Sequence, residues 1–503
     1  MLSRRVPASA AAVAAFFAGA VLPGATWPLT DGDAWWHIRA GEEIIRVGAV
    51  SHLETWSIVG AGRAWTSQDW LANVLMAAGH SLGPWGDTVV SLVFGLITVA
   101  AFWITWRAIE LRDPQVGWLS RIAWLALGLL VAGPVLGARV QVIDLLLVSA
   151  VLWICWRYLV DPRRRWLSAL PLIAVLWANL HAGWLLLFLL GAAVLTGEAI
   201  DRLLGRSPAG GRNLTWRQLG ELGAALVVSA LALAINPNGV ALYGYPFATL
   251  AISALGRYIL EWSGASLLNP PGQLLAAFTG LVVLPALLFG WRRLRTADLL
   301  ILVGLTLMAF QAIRFLLIVG PIGAAIAALA LSPILSATRF GHAAAAALRQ
   351  LSRPANGTRS AIHATLVVAL VVIGAGIALL RVSPPAQAAA QALELPVAAV
   401  RWLDEHEPGT RIFNRYEWGG YIGQHRPQQA IFMDGRADVY GEELLQMYAA
   451  IISLRSDPQV SLDEYRVDYA VYALGTPLAS WFDASSAWRR VYSDELAGIW
   501  VRR

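Results

Sequence analysis

The sequence predicts an α-helical polytopic membrane protein of about eleven transmembrane helices, with a small extracytoplasmic α/β domain at its C-terminal end. Three observations predict it. Hydrophobic residues make up 57% of the 503-residue chain and charged residues 14%, at a mean hydropathy of +0.59, which is too apolar for a soluble globular protein. Apolar runs of spanning length recur as far as the Ser383-Pro384-Pro385 linker. Beyond it, short apolar strands alternate with amphipathic helices. The chain is therefore read as a membrane domain, 1–385, and an α/β domain, 386–503.

Spans are predicted near 6–26, 87–109, 117–137, 140–160, 166–180, 182–200, 218–235, 272–291, 297–313, 315–335 and 361–381. The first run comes after Arg4 and Arg5 and is read as a retained span rather than a cleaved signal, because the chain beyond it is itself membrane-embedded. All 38 basic residues are Arg, which excludes a Walker-type phosphate loop and a lysine Schiff base. They mark every second connection: Arg4/Arg5, Arg107/Arg112, Arg157 to Arg165, Arg202 to Arg217, Arg292 to Arg295, and Arg339 to Arg359. Such bias assigns those connections to the cytoplasm, so the formal charge of +6 reports topology rather than a nucleic-acid partner. The N-terminus is expected in the cytoplasm and the C-terminal domain outside an inner (plasma) membrane. The single Cys155 allows no internal disulfide.

The other connections carry the costly polar residues, and the long first one, 27–86, carries most of them. Helices at 35–47 and 70–82 within it are amphipathic or Trp-rich and are expected along the interface. Asp33, with Asp31 as second choice, is the candidate proton acceptor, while Trp35 and Trp36 stack on a sugar or sit among headgroups. The competing reading is an acidic pair capping the helix that comes next. His37, His52, Glu54 and Asp69 lie in the same loop, but their spacing matches no zinc or EF-hand pattern, so a divalent cation is an option without a defined ligand set. Arg139 and Arg314, at span ends, either snorkel to headgroups or grip a lipid phosphate. His181, beside Asn179 in Trp177-Ala178-Asn179-Leu180-His181, reads first as an interhelical hydrogen-bonding residue, ahead of a catalytic role. Glu261 shares their side of the membrane.

In the C-terminal domain, strands are expected at Arg411-Ile412-Phe413, Ala430-Ile431-Phe432-Met433, Asp468 to Tyr472 and Ile499-Trp500-Val501, and helices at 386–395, 397–403 and 442–454. Two runs, Asn414 to Tyr421 and Asp434 to Tyr440, are dense in glycines, acids and aromatics. Turn chemistry accounts for the glycines, and sugar binding by stacking beside carboxylates is the alternative.

Several of these runs form a set: Asp31-x-Asp33-x-Trp35-Trp36-His37-Ile38-Arg39-x-Gly41, Asp69-Trp70-Leu71, Trp177-x-Asn179-x-His181, Asn236-Pro237-x-Gly239, Arg314-Phe315, Trp418-Gly419-Gly420-Tyr421 and Asp434-Gly435-Arg436. Over most of the chain, the set resembles a bacterial family of polytopic proteins related to the GT-C glycosyltransferases. The resemblance implies a GT-C fold with spans around an outward-facing cavity, a polyprenyl-phosphate-linked sugar as donor, and an essential acid in the first outer loop at Asp33 or Asp31. Two positions depart from the pattern: Glu54 stands where Asp is expected, and Asp69 where Glu is.

The function expected is transfer of a sugar from that donor to a glycan, lipid or protein hydroxyl on the extracytoplasmic face. Asp31, Trp35, Trp36, His37, Glu54, Asp69, Arg139, Asn179, His181, Glu261, Arg314, Asp434 and Arg436 are the candidate residues around Asp33. The alternative is a non-enzymatic transporter or lipid-binding membrane protein, although no internal repeat supports a transporter. The C-terminal domain could also be a docking module on an inactive scaffold.

Overall fold

A computed structural model describes residues 6–207, 211–338, 350–354 and 357–503; Arg4, Arg5, Arg339 and Arg349 lie outside them. Helices stand at all eleven predicted positions. Eight are long and apolar enough to cross a membrane: Ala8–Ala25, Gly83–Arg112, Trp118–Val135, Val142–Val160, Ala182–Leu203, Pro270–Gly290, Ile313–Ser336 and Gly357–Arg381. The other three predicted spans are shorter helices, Ala169–Leu180 of 12 residues, Trp216–Ala232 of 17 and Thr296–Gln311 of 16. At 1.5 Å per residue the first of these rises only about 18 Å, well short of a ~30 Å hydrocarbon core. It ends at His181, where the chain turns into the next span.

The Ile313–Ser336 helix is the centre of the bundle, with 94% of its apolar window buried. Its glycines and alanines explain this, since small residues let neighbouring backbones come close. At Gly128, a Cβ would lie 2.8 Å from the Pro321 backbone and 2.9 Å from the Gly320 carbonyl oxygen. By contrast, only 11% of the Gly357–Arg381 window is buried, so this helix rides on the bundle's edge with a broad apolar face outward.

Charges segregate to the two ends of the bundle, as the Val142–Val160 helix makes plain. Near its C-terminal end, Trp156 donates to Asp298, which also pairs with Arg112 at 2.9 Å. Nearby Arg295 grips both oxygens of Glu198 at 2.7 Å, and Arg206 pairs with Asp201 at 3.1 Å. These arginines belong to connections read from sequence as sharing one side. In the helix's first turn, Asp144 belongs to the opposite polar end, where it meets His181.

The C-terminal segment holds a five-stranded mixed sheet: β1 (Arg411–Asn414), β2 (Ala430–Ile431), β3 (Tyr469–Ala473), β4 (Trp488–Ser493) and β5 (Ala497–Arg502), in the order β2-β1-β3-β5-β4. β1 runs parallel to β2 and β3, and β5 is antiparallel to β3 and β4. β4 is absent from the predicted strands. It is an edge strand with Arg489 and Arg490 exposed, so it carries no buried apolar run that periodicity could detect.

This sheet does not stand apart from the membrane domain. The stretch 56–58 of the first long loop bridges the free edge of β2, with Ile58 N–H donating to the Ile431 carbonyl at 2.7 Å and Ile431 N–H to the Trp56 carbonyl at 3.2 Å. Gly419 and Gly420 open a helix, Gly419–His425, rather than a turn, which corrects the turn reading. Their lack of a Cβ serves close approach: at Gly420 a Cβ would lie 2.2 Å from the Gly32 carbonyl oxygen, and at Gly32 one would lie 1.9 Å from that of Glu417.

Candidate functional site

Two helices of the first loop, Gly32–Val47 and Trp70–His80, cross where Gly41 meets the Asn73 backbone; a Cβ at 41 would lie 2.0 Å from that carbonyl oxygen. The crossing aims one face of the first helix at a cavity of about 630 Å³. Asp33, Trp36 and His37 line it, spaced i, i+3, i+4 on one helical face. Trp35, about 100° round the helix, does not. It is 1% exposed and packs edge-on against Tyr421 and beside His425 of the C-terminal segment, so it is a packing residue and not the stacking partner expected.

The two acids of the opening motif separate into different jobs. Asp31 caps the helix, its Oδ1 accepting from Asp33 N–H at 2.9 Å, while its Oδ2 meets Arg139 Nε at 2.6 Å. Asp33 faces the cavity, and among the described residues its carboxylate has no ion-pair partner within 4.0 Å. Burial, reinforced by the nearby charges of Asp31 and Glu261, holds its carboxyl well above the usual range.

Arg139 and Arg314 converge on Glu261. Arg139 pairs with Asp31 and Glu261, and Arg314 stands 3.8 Å from Glu261 while its guanidinium lies 4.3 Å over the Trp262 ring. Burial opposes ionisation of Glu261, but the two arginines outweigh it and lower its pKa. Arg139 is thus committed to two acids and lines a separate cavity of about 230 Å³ with Asp31. Arg314 lines the main cavity with, among the described residues, one long ion-pair contact.

His37 Nδ1 lies 2.6 Å from Asn73 Oδ1 and 3.3 Å from Asp69 Oδ2. Both partners are oxygens, which assigns the proton to Nδ1 and leaves the Nε2 lone pair free. Burial drives the His37 pKa down to about 3, so the ring is neutral, and pushes Asp69 up to about 7. His181 faces the same cavity and pairs with Asp144 at 2.8 Å.

Asp144 is a cavity residue outside the sequence-based candidates, and Asp438, a member of the Asp434 to Tyr440 run, lines the cavity too. Asp144 accepts from both Trp177 Nε1 at 2.7 Å and His181. The sequence does carry a signal for it: an acid within the apolar run Val142-Ile143-Asp144-Leu145-Leu146 is costly unless used or paired. Asp438 sits in the first turn of the Ala437–Ile452 helix beside Tyr245, and burial raises it to about 6. Among the described residues, no three or more His, Cys, Asp or Glu side chains converge as metal ligands.

Three further candidates stand outside the cavity. Asn179 accepts from Trp70 Nε1 at 2.7 Å and donates to the Val175 and Ile235 carbonyls, so its amide is consumed in tying helices together. Glu54 accepts from the Trp56 and Ser57 backbone N–H groups and pairs with Arg436. Asp434 holds the same guanidinium by bonds of 2.7 to 3.1 Å. Arg436 itself reaches the cavity wall, its guanidinium 4.0 Å from the Trp56 ring and 4.7 Å from that of Trp65, two rings that meet edge to face.

The far limb of the cavity is apolar. Leu185, Leu186, Leu189 and Leu190 line it from one span and Leu300, Ile301 and Leu305 from the Thr296–Gln311 helix. Leu189 is 46% exposed and Leu300 40%, so this limb opens sideways toward the bundle's apolar surface. The site is therefore amphipathic, with an acid and an arginine at its head and a lipid-like wall along its length.

No known family profile and no curated protein matches the sequence. Among solved structures, the chain is similar to ArnT from Cupriavidus metallidurans bound to undecaprenyl phosphate, at 16% identity over 97% of this chain and 96% of that one, with a TM-score of 0.50. It is similar to the apo state of the same protein at 17% identity over the same shares, with a TM-score of 0.51. At such identity the likeness speaks for architecture alone, and together with the helices and the C-terminal sheet it makes this chain a multi-pass membrane protein with an ArnT-like fold.

Proposed function

We propose that the protein is an inverting membrane glycosyltransferase that moves a sugar from a polyprenyl-phosphate donor to an acceptor hydroxyl on the extracytoplasmic face. The observation that carries this reading is the amphipathic cavity, with Asp33, free of an ion-pair partner among the described residues, and under-used Arg314 at its head and a leucine-lined limb that opens toward lipid. A polyprenyl chain fits that limb by chemistry, and a phosphate fits the arginine. The ArnT crystallised with undecaprenyl phosphate shares the fold. The arginine bias of the opposite connections supports the outward orientation of the site.

In this mechanism Asp33 accepts the proton of the acceptor hydroxyl as its oxygen attacks the anomeric carbon. The bond from that carbon to the phosphate oxygen breaks, the electron pair stays on the phosphate, and configuration inverts. Arg314 stabilises the charge that develops on the leaving phosphate. Phosphate needs no proton to leave, so the site requires no separate acid. Glu261 limits the arginines' excess positive charge before the donor arrives.

The test uses the purified full chain in lipid nanodiscs with undecaprenyl phosphate and with membrane vesicles holding undecaprenyl-phosphate sugars. Asp33→Asn should bind undecaprenyl phosphate as the wild type does and release none from the sugar-bearing lipid. Wild-type release by that variant overturns the role of Asp33; absence of undecaprenyl-phosphate binding by the wild type overturns the donor class.

A further inference from the structure

Gly435 lies between two residues that are held fast, and it faces the first turn of the Gly32–Val47 helix. A Cβ built on it would stand 1.7 Å from Asp33 Oδ1 and 3.2 Å from Trp36 Nε1. Its backbone is not in the left-handed region, so the conformation itself would accept alanine. What excludes a side chain is Asp33.

The backbone on each side has no room to give, so the Asp33 carboxylate, which faces the open cavity, is what must move. Gly32 is pressed on the Glu417 carbonyl and Gly420 on the Gly32 carbonyl, so the turn that bears Asp33 is braced from behind by the C-terminal segment. On the other side, Asp434 N–H donates to the Tyr440 hydroxyl at 3.1 Å, and Arg436 is held by Asp434, Glu54 and two indoles. The charged and titratable groups around Asp33 are Asp31 on its own helix, Arg139 and Glu261 from other connections, and Tyr416 from the C-terminal segment.

We infer that Gly435 is a positioning residue for Asp33: the backbone of the C-terminal segment forms the wall that fixes where the carboxylate stands in the cavity. This rests on the assignment of Asp33 as the base. It gives the C-terminal segment a part in the chemistry that a docking module would not have. A side chain at 435 must drive the carboxylate from 1.7 Å to at least 3.0 Å away, and a misplacement of about 1 Å costs on the order of a hundredfold in rate.

The test is Gly435→Ala in the full chain. Undecaprenyl-phosphate binding should match the wild type, kcat should fall by about a hundredfold, and KM for the donor should stay within about twofold. The acidic limb of the pH–rate profile should move to lower pH, because the displaced carboxylate leaves the burial that holds its pKa up. A folded G435A with wild-type kcat and pH profile overturns the inference.

A second measurement is independent of turnover. In the Asp33→Ala background the added methyl meets no carboxylate, so G435A should lower the thermal unfolding midpoint of the wild type more than that of D33A. Equal losses in the two backgrounds sink the inference even where G435A folds poorly. A wild type that turns over no polyprenyl-phosphate sugar while this coupling persists sinks the proposed function instead.

Discussion

Glu54 of the first long loop closes an ion pair with Arg436 of the C-terminal segment, and solvent reaches neither side chain. The guanidinium is also gripped by Asp434 and lies against the Trp56 and Trp65 rings. A buried pair of this kind is weak evidence of net stability, but removing the shared cation strands buried charge, at about 3–5 kcal/mol. Arg436→Met, which leaves both Glu54 and Asp434 without their cation, should therefore destabilise the protein by that order, and Glu54→Gln in the same chain should recover part of the loss, whereas Glu54→Gln alone keeps the Asp434–Arg436 pair and should cost less. Unfolding midpoints of the two single variants and the double variant decide it: a double variant no better than R436M refutes the stranded-charge account.

Asp31 and Asp33, two residues apart, should respond differently to loss of charge. Asparagine caps a helix about as well as aspartate, so Asp31→Asn keeps the cap and removes only the charge facing Arg139 and Asp33. Burial is the larger cause of Asp33's raised pKa and Asp31 the next. D31N should thus retain measurable turnover and shift the acidic limb of the pH–rate profile part of the way to lower pH. Asp31→Ala should lose about 1 kcal/mol of stability beyond D31N. A D31N variant as inactive as D33N would return Asp31 to candidacy as the base.

Asp69 supplies a pH dependence of stability whose sign can be worked out. Its folded pKa of about 7 stands above the ~3.9 of an unfolded chain. Between those values the folded state binds more protons than the unfolded one, so this group's contribution to stability is lost as pH rises through the window. His37, lowered to about 3 by burial, acts in the opposite sense between that value and ~6.5, but it is present in both chains of the comparison. Asp69→Asn should gain stability relative to the wild type on going from pH 5 to pH 8. Unfolding midpoints in detergent at the two pH values test this, and a gap that is constant or reversed refutes it.

Legibility from sequence is a matter of what is local. Apolar length and arginine bias are local, and they find a helix at each of the eleven positions, eight of them long enough to span, and sort the charge to two ends. The Asp33, Trp36, His37 face is also legible, because i, i+3, i+4 spacing puts those three together and necessarily turns Trp35 away. Adjacency to a motif misleads for Trp35 and for Asn179, whose amide answers Trp70 and two carbonyls, one of them brought in from Ile235. The Glu54–Arg436 pair and the fit of Gly435 against Asp33 join loops far apart in the chain, and no spacing rule reaches that far. β4 escapes because an exposed edge strand has no apolar run to announce it.

Arg314 and Arg139 are equal candidates by sequence for holding a phosphate, and the geometry ranks them. Arg139 already satisfies Asp31 and Glu261 and faces the smaller cavity, so drawing it to a phosphate would cost two existing pairs. Arg314 faces the main cavity with one contact at 3.8 Å. Hydrogen bonds to charged groups are worth about 1.5–3 kcal/mol, or roughly 10- to 150-fold in affinity. Arg314→Ala should weaken undecaprenyl-phosphate binding by that factor, and Arg314→Lys should recover part of it, since the ammonium keeps the charge but not the planar fork. Arg139→Ala should instead act mainly on stability and on Asp33, because it leaves Asp31 without its cation and Glu261 to Arg314 alone, and so raises the acidic limb of the pH–rate profile. Binding titrations on the two alanine variants separate these effects, and a larger affinity loss in R139A than in R314A would reverse the ranking.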